Sequence, residues 1–431
     1  MKKLILWSLL GAAVSLQAAT VGEVTADTTR MNPRVLTRRF LLQPGDEFSP
    51  KIYEKAKDDL HKWRVFKKLD FSTTWRGEKV DIHISGEDGT YVFPIGFITG
   101  GSKSAGGVSI SAGNLFRQGE STFLFGGGGK DGWIASVGMR TSQQAISLQY
   151  TQLDLDPRFY QDGWFNVPSV FSTADDKEKH SNKLIREIKG RQHKASFMYT
   201  YRLCRTVSVL IRPEYNEISY ENHQLDSGRH HQLSVGFVWQ DDIRQGLNMG
   251  ALSGYGLTDK KQSLQNLPRM RIGYTGKTLY SFGDKWSGSE YTISKLAVEN
   301  TWFLELKNRH LLMLQISLAD AFKGSFSDQI TSTDLLSAQG RYDRQLRGER
   351  GAGISTSFAF YMLRNDVGLL SVTPFYELAY VRDNVRYRPH SGAGATVAYK
   401  LWRFPLPFGI NFTQNLQDGS HQIGFVVGGT F

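Results

Sequence analysis

Along most of this chain apolar and polar residues alternate. In Ala145 to Gln152, Ile146, Leu148 and Tyr150 oppose Ser147, Gln149 and Thr151. Lys194 to Arg202 sets Phe197, Tyr199 and Tyr201 against Ser196, Met198 and Thr200, and Leu233, Val235, Phe237 and Trp239 oppose Gln232, Ser234 and Gln240. A period of two predicts a strand with one greasy face and one wet face. From Tyr91 onward such signals recur roughly every 10 to 20 residues, with no sustained helical period. The last ten residues repeat the scheme, with Ile423, Phe425, Val427 and Phe431 on one face, Gln422, Gly424 and Thr430 on the other, and Val426 alone out of step. They predict a strand with lipid on one side and a polar lumen on the other. Ending on Phe431, it reads as the closing strand of an outer-membrane β-barrel, with Phe425 and Phe431 as its C-terminal signal.

The start of the chain is patterned differently. Lys2 and Lys3 precede an apolar run from Leu4 to Leu16 that ends in Ala18 and Ala19, which reads as a secretory signal peptide over residues 1–19. Residues 20–89 then carry the helical period and form a separate small domain, and residues 90–431 form the barrel. Arg34 to Leu42 predicts a short helix stopped by Pro44-Gly45. Ser49 caps a second, with Pro50 at its first position and Ile52, Tyr53, Ala56, Leu60 and Trp63 as its apolar stripe. Two strands follow, Phe66 to Trp75 and Lys79 to Ser85, joined by Arg76-Gly77-Glu78. Further on, Asp156 to Gly190 breaks the strand rhythm with Pro157, Pro168 and the charged run Asp175 to Lys179. Counting strands from Tyr91, this is a long loop outside the cell.

Composition narrows the class. Past the signal no apolar stretch approaches the roughly 20 residues a membrane helix needs, and the mean hydropathy is -0.35, so a helical membrane protein is excluded. A barrel hides its lipid surface in alternating strands. The 44 glycines, 18 tyrosines and 26 phenylalanines suit tight turns and aromatic girdles. Cys204 is the single cysteine, so no intramolecular disulfide forms and stability must come from the strand ladder. The net charge of +11 is scattered among strands instead of gathered in one run, which argues against nucleic acid and for lumen and loop surface near anionic lipid. Gly126 to Lys130 fails as a phosphate loop, since Leu124 stands at its first glycine and Asp131 replaces the Ser or Thr. His230-His231 with Asp241-Asp242 has no zinc spacing and reads as solvated polar residues. No enzyme, metal site or cofactor is expected.

Particular motifs carry a family resemblance. The helix pair followed by a hairpin, with Gln43-Pro44-Gly45-Asp46 and Phe66-Lys67-Lys68-Leu69-Asp70, resembles a POTRA domain. That is the periplasmic module of the BamA/TamA outer-membrane assembly superfamily, of the bacterial surface antigen type. Gln345-Leu346-Arg347-Gly348-Glu349-Arg350-Gly351 reads as a loop and resembles the superfamily's sixth extracellular loop. Leu346, Arg347 and Gly348 match its motif, and Glu349 stands where an aromatic belongs. The resemblance implies that this loop folds back into the barrel and that Arg347 meets a lumen carboxylate. Phe375-Tyr376-Glu377-Leu378-Ala379 corresponds to the strand that supplies it, with Glu377 for Asp and Ala379 for Gly. Glu377 shares its phase with Ser371 and Thr373, opposite Val372, Tyr376, Leu378 and Tyr380, so it is expected to face the lumen.

After the loop the family has five strands, and five are drawn: Ile354 to Leu363, Leu369 to Val381, Gly392 to Leu401, Phe408 to Phe412 and Gln422 to Phe431. Asn248 to Phe282 holds one strand or two. The fold expected is a mainly β, 16-stranded antiparallel transmembrane β-barrel preceded by one POTRA domain, an even count that returns both ends to the periplasm. Gly107 to Ser111 leading to Asn114-Leu115-Phe116 and Gly119 is similar to the family's turn from second strand to third. Pro94 in the first barrel strand and Gly428 and Gly429 in the last weaken pairing, as a lateral seam requires. The resemblance implies an outer-membrane assembly or translocation factor with a periplasmic N-terminal domain. That domain takes an unfolded client polypeptide by strand addition, and the seam passes it into the lipid bilayer. The alternatives are a passive pore or surface protein of the same architecture and, from another class, an outer-membrane hydrolase.

Overall fold

The computed structural model describes residues 19–431 except 62–65, 100–104, 142, 156, 162, 167–183, 205, 222–224, 226, 241–270, 307–309, 337–344, 365–367, 384–385, 402–406, 418, 420 and 428–431. For some strand residues, Phe425 among them, only the backbone is described. The chain falls into two compact units, Met1–Phe93 with Ala112–Thr122 and Pro94–Ser111 with Phe123–Phe431.

The first unit contains β1 (Thr20–Thr28), α1 (Pro33–Arg39), α2 (Pro50–His61), β2 (Phe66–Arg76) and β3 (Lys79–Asp88), with sheet order β1-β3-β2. Asn32 caps α1 by accepting from the Arg34 N–H, and Pro33 supplies the helical φ of the first turn. The helix stops at Arg39, short of the expected Leu42, and Phe40 and Leu42 turn into the core. The Ser49 hydroxyl accepts from the Ile52 N–H at 3.2 Å, as a cap should. Ala56 and Leu60 are buried, but Ile52 is exposed, so the apolar stripe of α2 is narrower than expected; Trp63 lies outside the described residues. Gly77, at φ 64, makes the hairpin turn. Strand β1 was not anticipated. It pairs parallel with β3, and Val21 is its only fully buried apolar residue, too weak a pattern to read alone. Residues 114–120 of this unit form a turn in which Asn114, Arg117 and Gly119 have positive φ. Buried Asp88 holds it by accepting from Asn114 Nδ2 at 2.8 Å and from the Met31 N–H at 2.9 Å.

The second unit is built on one large antiparallel sheet. Its strands are β4 (Tyr91–Thr99), β5 (Ala105–Gly113), β6 (Ser121–Gly129), β7 (Gly132–Arg140) and β8 (Gln144–Leu155). Next come three short strands outside this sheet, β9 (Arg158–Tyr160), β10 (Phe165–Asn166) and β11 (Leu184–Glu187). The main sheet resumes with β12 (Gly190–Arg202), β13 (Val207–Tyr220), β14 (Gly228–Gln240), β15 (Arg271–Gly283), β16 (Ile293–Glu305) and β17 (Leu311–Lys323). A second insertion holds β18 (Ile330–Thr331), α3 (Ser332–Leu335) and β19 (Arg347–Gly348). Finally come β20 (Arg350–Arg364), β21 (Gly368–Arg382), β22 (Tyr387–Leu401), β23 (Pro407–Asn415) and β24 (His421–Val427). The main sheet is hydrogen-bonded in the order β24-β23-β22-β21-β20-β17-β16-β15-β14-β13-β12-β8-β7-β6-β5-β4. Chain neighbours are sheet neighbours except where the chain steps over the two insertions.

The alternation read in the sequence becomes two unlike faces. One carries large apolar side chains that lie open, among them Leu148 (53% exposed), Phe237 (52%) and Leu318 (51%). The other is small and polar, with Ser234 and Ser281 sharing a hydrogen bond at 2.8 Å and Lys194 paired with Glu214 at 2.8 Å. A continuous open apolar face of this width has no place in water. No helix among the described residues is long and apolar enough to cross a membrane.

Two expectations need correction. The stretch Asp156 to Gly190 is not wholly without pattern, since β9, β10 and β11 form a small sheet there. Arg350-Gly351, read as loop, already belongs to β20. Charge and glycine mislead here because this end of the strand borders the polar rim, and glycine is what lets another segment lie against it. In the region Asn248 to Phe282, β15 is the strand described, and residues 241–270 lie outside the described residues.

Candidate functional site: the segment folded against the polar face

Between β17 and β20 the chain turns back onto the polar face of the sheet. It starts with a 3-10 turn at Phe326–Asp328, where the Asp328 carboxylate accepts from the backbone N–H and hydroxyl of Ser325, both at 2.8 Å. Strands β18 and β19 then pair, Ile330 opposite Gly348 and Thr331 opposite Arg347. Helix α3 is short but fully capped, with Thr331 and Asp334 forming a reciprocal capping box. The Ser332 N–H donates to the Leu346 carbonyl at 2.8 Å, and the Leu346 N–H donates to the Ser332 hydroxyl at 3.0 Å. These bonds tie residues 325–336 and 345–349 into a folded unit.

Packing fixes that object to the sheet. Leu346, Ile330, Leu335 and Leu336 cluster with Ala379 and Val381 of β21, Ala321 of β17, and Tyr160 and Trp164 of the first insertion. Phe159 of β9 also packs against Phe326, its ring tilted and the centroids 5.6 Å apart. The glycines of β20 have a steric reason, since a Cβ on Gly351 would collide with the Leu335 side chain and one on Gly353 with the Leu335 carbonyl. Ser332 meets His390 of β22, its hydroxyl 2.6 Å from Nδ1, and Trp164 packs edge-on against the same imidazole at 4.9 Å. Having accepted from Leu346, the Ser332 hydroxyl still has its own proton to give to His390.

The residues singled out in the sequence lie as follows. Leu346 is 1% exposed, and Gly348 is buried where a Cβ would strike the Arg382 carbonyl. Arg347 donates from Nε to Gln329 Oε1 at 2.9 Å and from its guanidinium to the Phe326 carbonyl, and it lies over the Phe326 ring. Glu377 is 0% exposed, on the polar face with buried Phe375, Ala379 and Val381. Thus Leu346 and Ala379 meet in one cluster, and Arg347 and Glu377 flank it along the chain. Glu349 is exposed and works through its backbone, its N–H donating to Arg382 and its carbonyl accepting from Ala321. Replacing an aromatic there removes no buried contact. Pro94 lies exposed in β4. The Phe425 backbone pairs with Ile410 in β24, while Gly428, Gly429 and Phe431 lie outside the described residues.

Two features escaped sequence reading. His230 is not solvated, because it is 1% exposed, stacks on Tyr291 and brings Nδ1 to 3.4 Å from Asp328 Oδ2; Asp241 and Asp242 lie outside the described residues. Burial pushes the Asp328 carboxyl up, but the close approach of His230 and hydrogen bonds from Ser325 outweigh it and hold the group below the usual carboxylate range. The other is His390, which Ser332 and Trp164 reach from distant parts of the chain. A histidine at a polar position of a strand was the only signal for either.

A wide antiparallel sheet with an open apolar face and an insertion packed on its polar face defines a mainly β fold of membrane-protein type. Solved structures agree. The chain is similar to CdiB from Escherichia coli, with a TM-score of 0.63 and 11% identity over 96% of this chain and 77% of that one. CdiB from Acinetobacter baumannii gives 0.58 and 11% over 95% and 74%. BamA from Haemophilus ducreyi, in a form lacking POTRA domains 1–3, gives 0.51 and 12% over 94% and 84%. At these identities the likeness is one of fold. No family model and no curated protein sequence matches the chain.

Proposed function

We propose that this chain is an outer-membrane barrel protein that inserts or exports client polypeptides, in the manner of the BamA/TamA superfamily. In this reading the main sheet, with 16 strands in the order given above, closes between β4 and β24. The first unit acts as a periplasmic POTRA domain that takes an unfolded client by strand addition, and the β4/β24 seam, weakened by Pro94, Gly428 and Gly429, opens toward lipid. The observation that carries the proposal is the capped segment bearing Leu346-Arg347-Gly348, packed on the polar face of a sheet whose other face is apolar and open. Arg347 and Glu377 form its latch: a fully buried carboxylate needs a cationic or hydrogen-bonded partner, and a guanidinium next to Leu346 is the group the resemblance assigns to it.

Depletion tests the activity. If outer-membrane barrel proteins and exported clients keep normal levels when this protein is removed, the assembly and export reading fails. Cysteines placed in β4 and β24 test the seam, and unchanged function with the seam locked by a disulfide would exclude lateral opening. Exposed Glu349, in place of the family's aromatic, favours a second reading as a passive pore or surface protein. Normal client levels together with ion conductance in planar bilayers would establish that one.

A further inference from the structure

On strands β20 and β21, Arg350 and Arg382 stand directly opposite each other. Both side chains lie on the apolar face: Arg350 is in phase with exposed Ile354 and Phe360, and Arg382 with exposed Tyr376 and Tyr380. Like charges facing each other across a ladder are destabilising, and the surroundings only half relieve them. Asp320, opposite Arg350 on β17, takes its Nε at 2.9 Å. Arg382 has Tyr387 beside it, with its guanidinium 6.0 Å from the ring centre, and no carboxylate pairs with it among the described residues. The next outward row is Leu318, Ala352 and Tyr380, followed by Ile316, Ile354 and Leu378. Two guanidiniums therefore sit at the head of an apolar strip.

We propose that Arg350 and Arg382 bind the phosphate headgroup of a membrane lipid whose acyl chains lie along that strip. The inference rests on the barrel reading above, in which this end of the sheet borders the outer leaflet. A phosphate accepts from two guanidinium forks at once, replacing their mutual repulsion by charge-assisted hydrogen bonds. The chains beneath the headgroup cover apolar surface that is otherwise open.

The test uses the full-length protein purified in detergent, with native mass spectrometry to count bound lipid. The probes are lipid A carrying two phosphates, the same lipid stripped of both, and inorganic phosphate as competitor. Retention of the phosphorylated lipid is expected to exceed that of the stripped lipid by about tenfold or more, the scale of one charge-assisted contact. Arg382→Gln should remove most of this preference while leaving the Asp320–Arg350 pair intact, and the Arg350→Gln/Arg382→Gln double variant should abolish it. Equal retention of the two lipids, or an unchanged preference in the double variant, overturns the site. Complete displacement by inorganic phosphate also overturns it, since the site would then be one for free anions. Heat-modifiable gel migration is measured on every sample. Its loss in the native protein would defeat the barrel reading, whereas its presence without lipid preference would defeat this inference alone.

Discussion

Two regions of the main sheet, around β8 and β12 and around β20 to β22, carry the same alternation and bury it differently. On β8 and β12 the polar-face residues Ser147, Gln149, Thr151, Ser196 and Thr200 are half-exposed, as expected of a wall that looks into water. On β20, β21 and β22 the equivalent positions are closed: Ser355 is 4% exposed, Glu377 and Ala379 0%, and His390 0%. The strands on the covered side differ in one respect that matters. They offer glycine and small residues where the insertion lies, and a histidine and a glutamate where it can be gripped. A polar face is the default of the pattern, and a face that holds a segment has to be carved into it.

The largest expected effect concerns the grip. Arg347→Ala and Glu377→Ala should each cost about 3–5 kcal/mol if the two form a buried pair, because either change strands a charge. The double variant should cost little more than the worse single one. Urea unfolding in detergent micelles, followed by tryptophan fluorescence, measures both. Additive losses would mean that the two residues act apart and that the likeness to the family's arginine loop stops at Leu346-Arg347-Gly348.

Carving comes next. Gly353→Val must displace Leu335, and overpacking of this kind costs about 1–3 kcal/mol. Limited proteolysis should then cut the insertion between β17 and β20 faster than in the native protein. The matching change on the uncovered region, Ser147→Val, should leave both stability and the proteolytic pattern unchanged. Equal sensitivity at the two positions would erase the contrast between the regions.

That contrast also separates what could be read in the sequence from what could not. The strands were legible because an apolar and a polar face impose a period of two on each of them, and the five drawn after the insertion correspond to β20 through β24. The phase of Glu377 followed from its strand. What stayed hidden depends on contacts between distant segments. Strand β1 is held by parallel pairing with β3, about sixty residues away in sequence, and carries almost no apolar signal of its own. The buried positions of His230 and His390 come from insertions that touch them, and nothing beside them in the chain announces it. Arg350-Gly351 was misread for the same reason: a strand that must receive another segment looks, in one dimension, like a loop.

Hydrogen bonding across the interface is a smaller term. Ser332→Ala removes both the partner of His390 Nδ1 and the acceptor for the Leu346 N–H, so buried polar groups lose partners at about 1–3 kcal/mol. Ser332→Thr keeps the hydroxyl and should recover part of the loss. If Ser332→Ala unfolds at the same urea concentration as the native chain, the insertion is held by its apolar cluster alone.

The smallest effect, and the one most specific to the covered region, is set by Asp328. Its carboxyl is held below the usual range, so its contribution is fully present above the unfolded-state value of about 3.9 and is lost as pH falls through the folded value. Protease protection of residues 325–349 should therefore be level from neutral pH down to about 5 and fall only in stronger acid. Proteolysis by pepsin, active in that range, reads the transition. Asp328→Asn cannot ionise and loses the charge that faces His230, so it should show partly reduced protection already at neutral pH and no further step from this group on acidification. An acid transition of the same midpoint and size in Asp328→Asn would assign it to other carboxylates, and the His230–Asp328 contact would then be a neighbour of the docked segment without being a fastening of it.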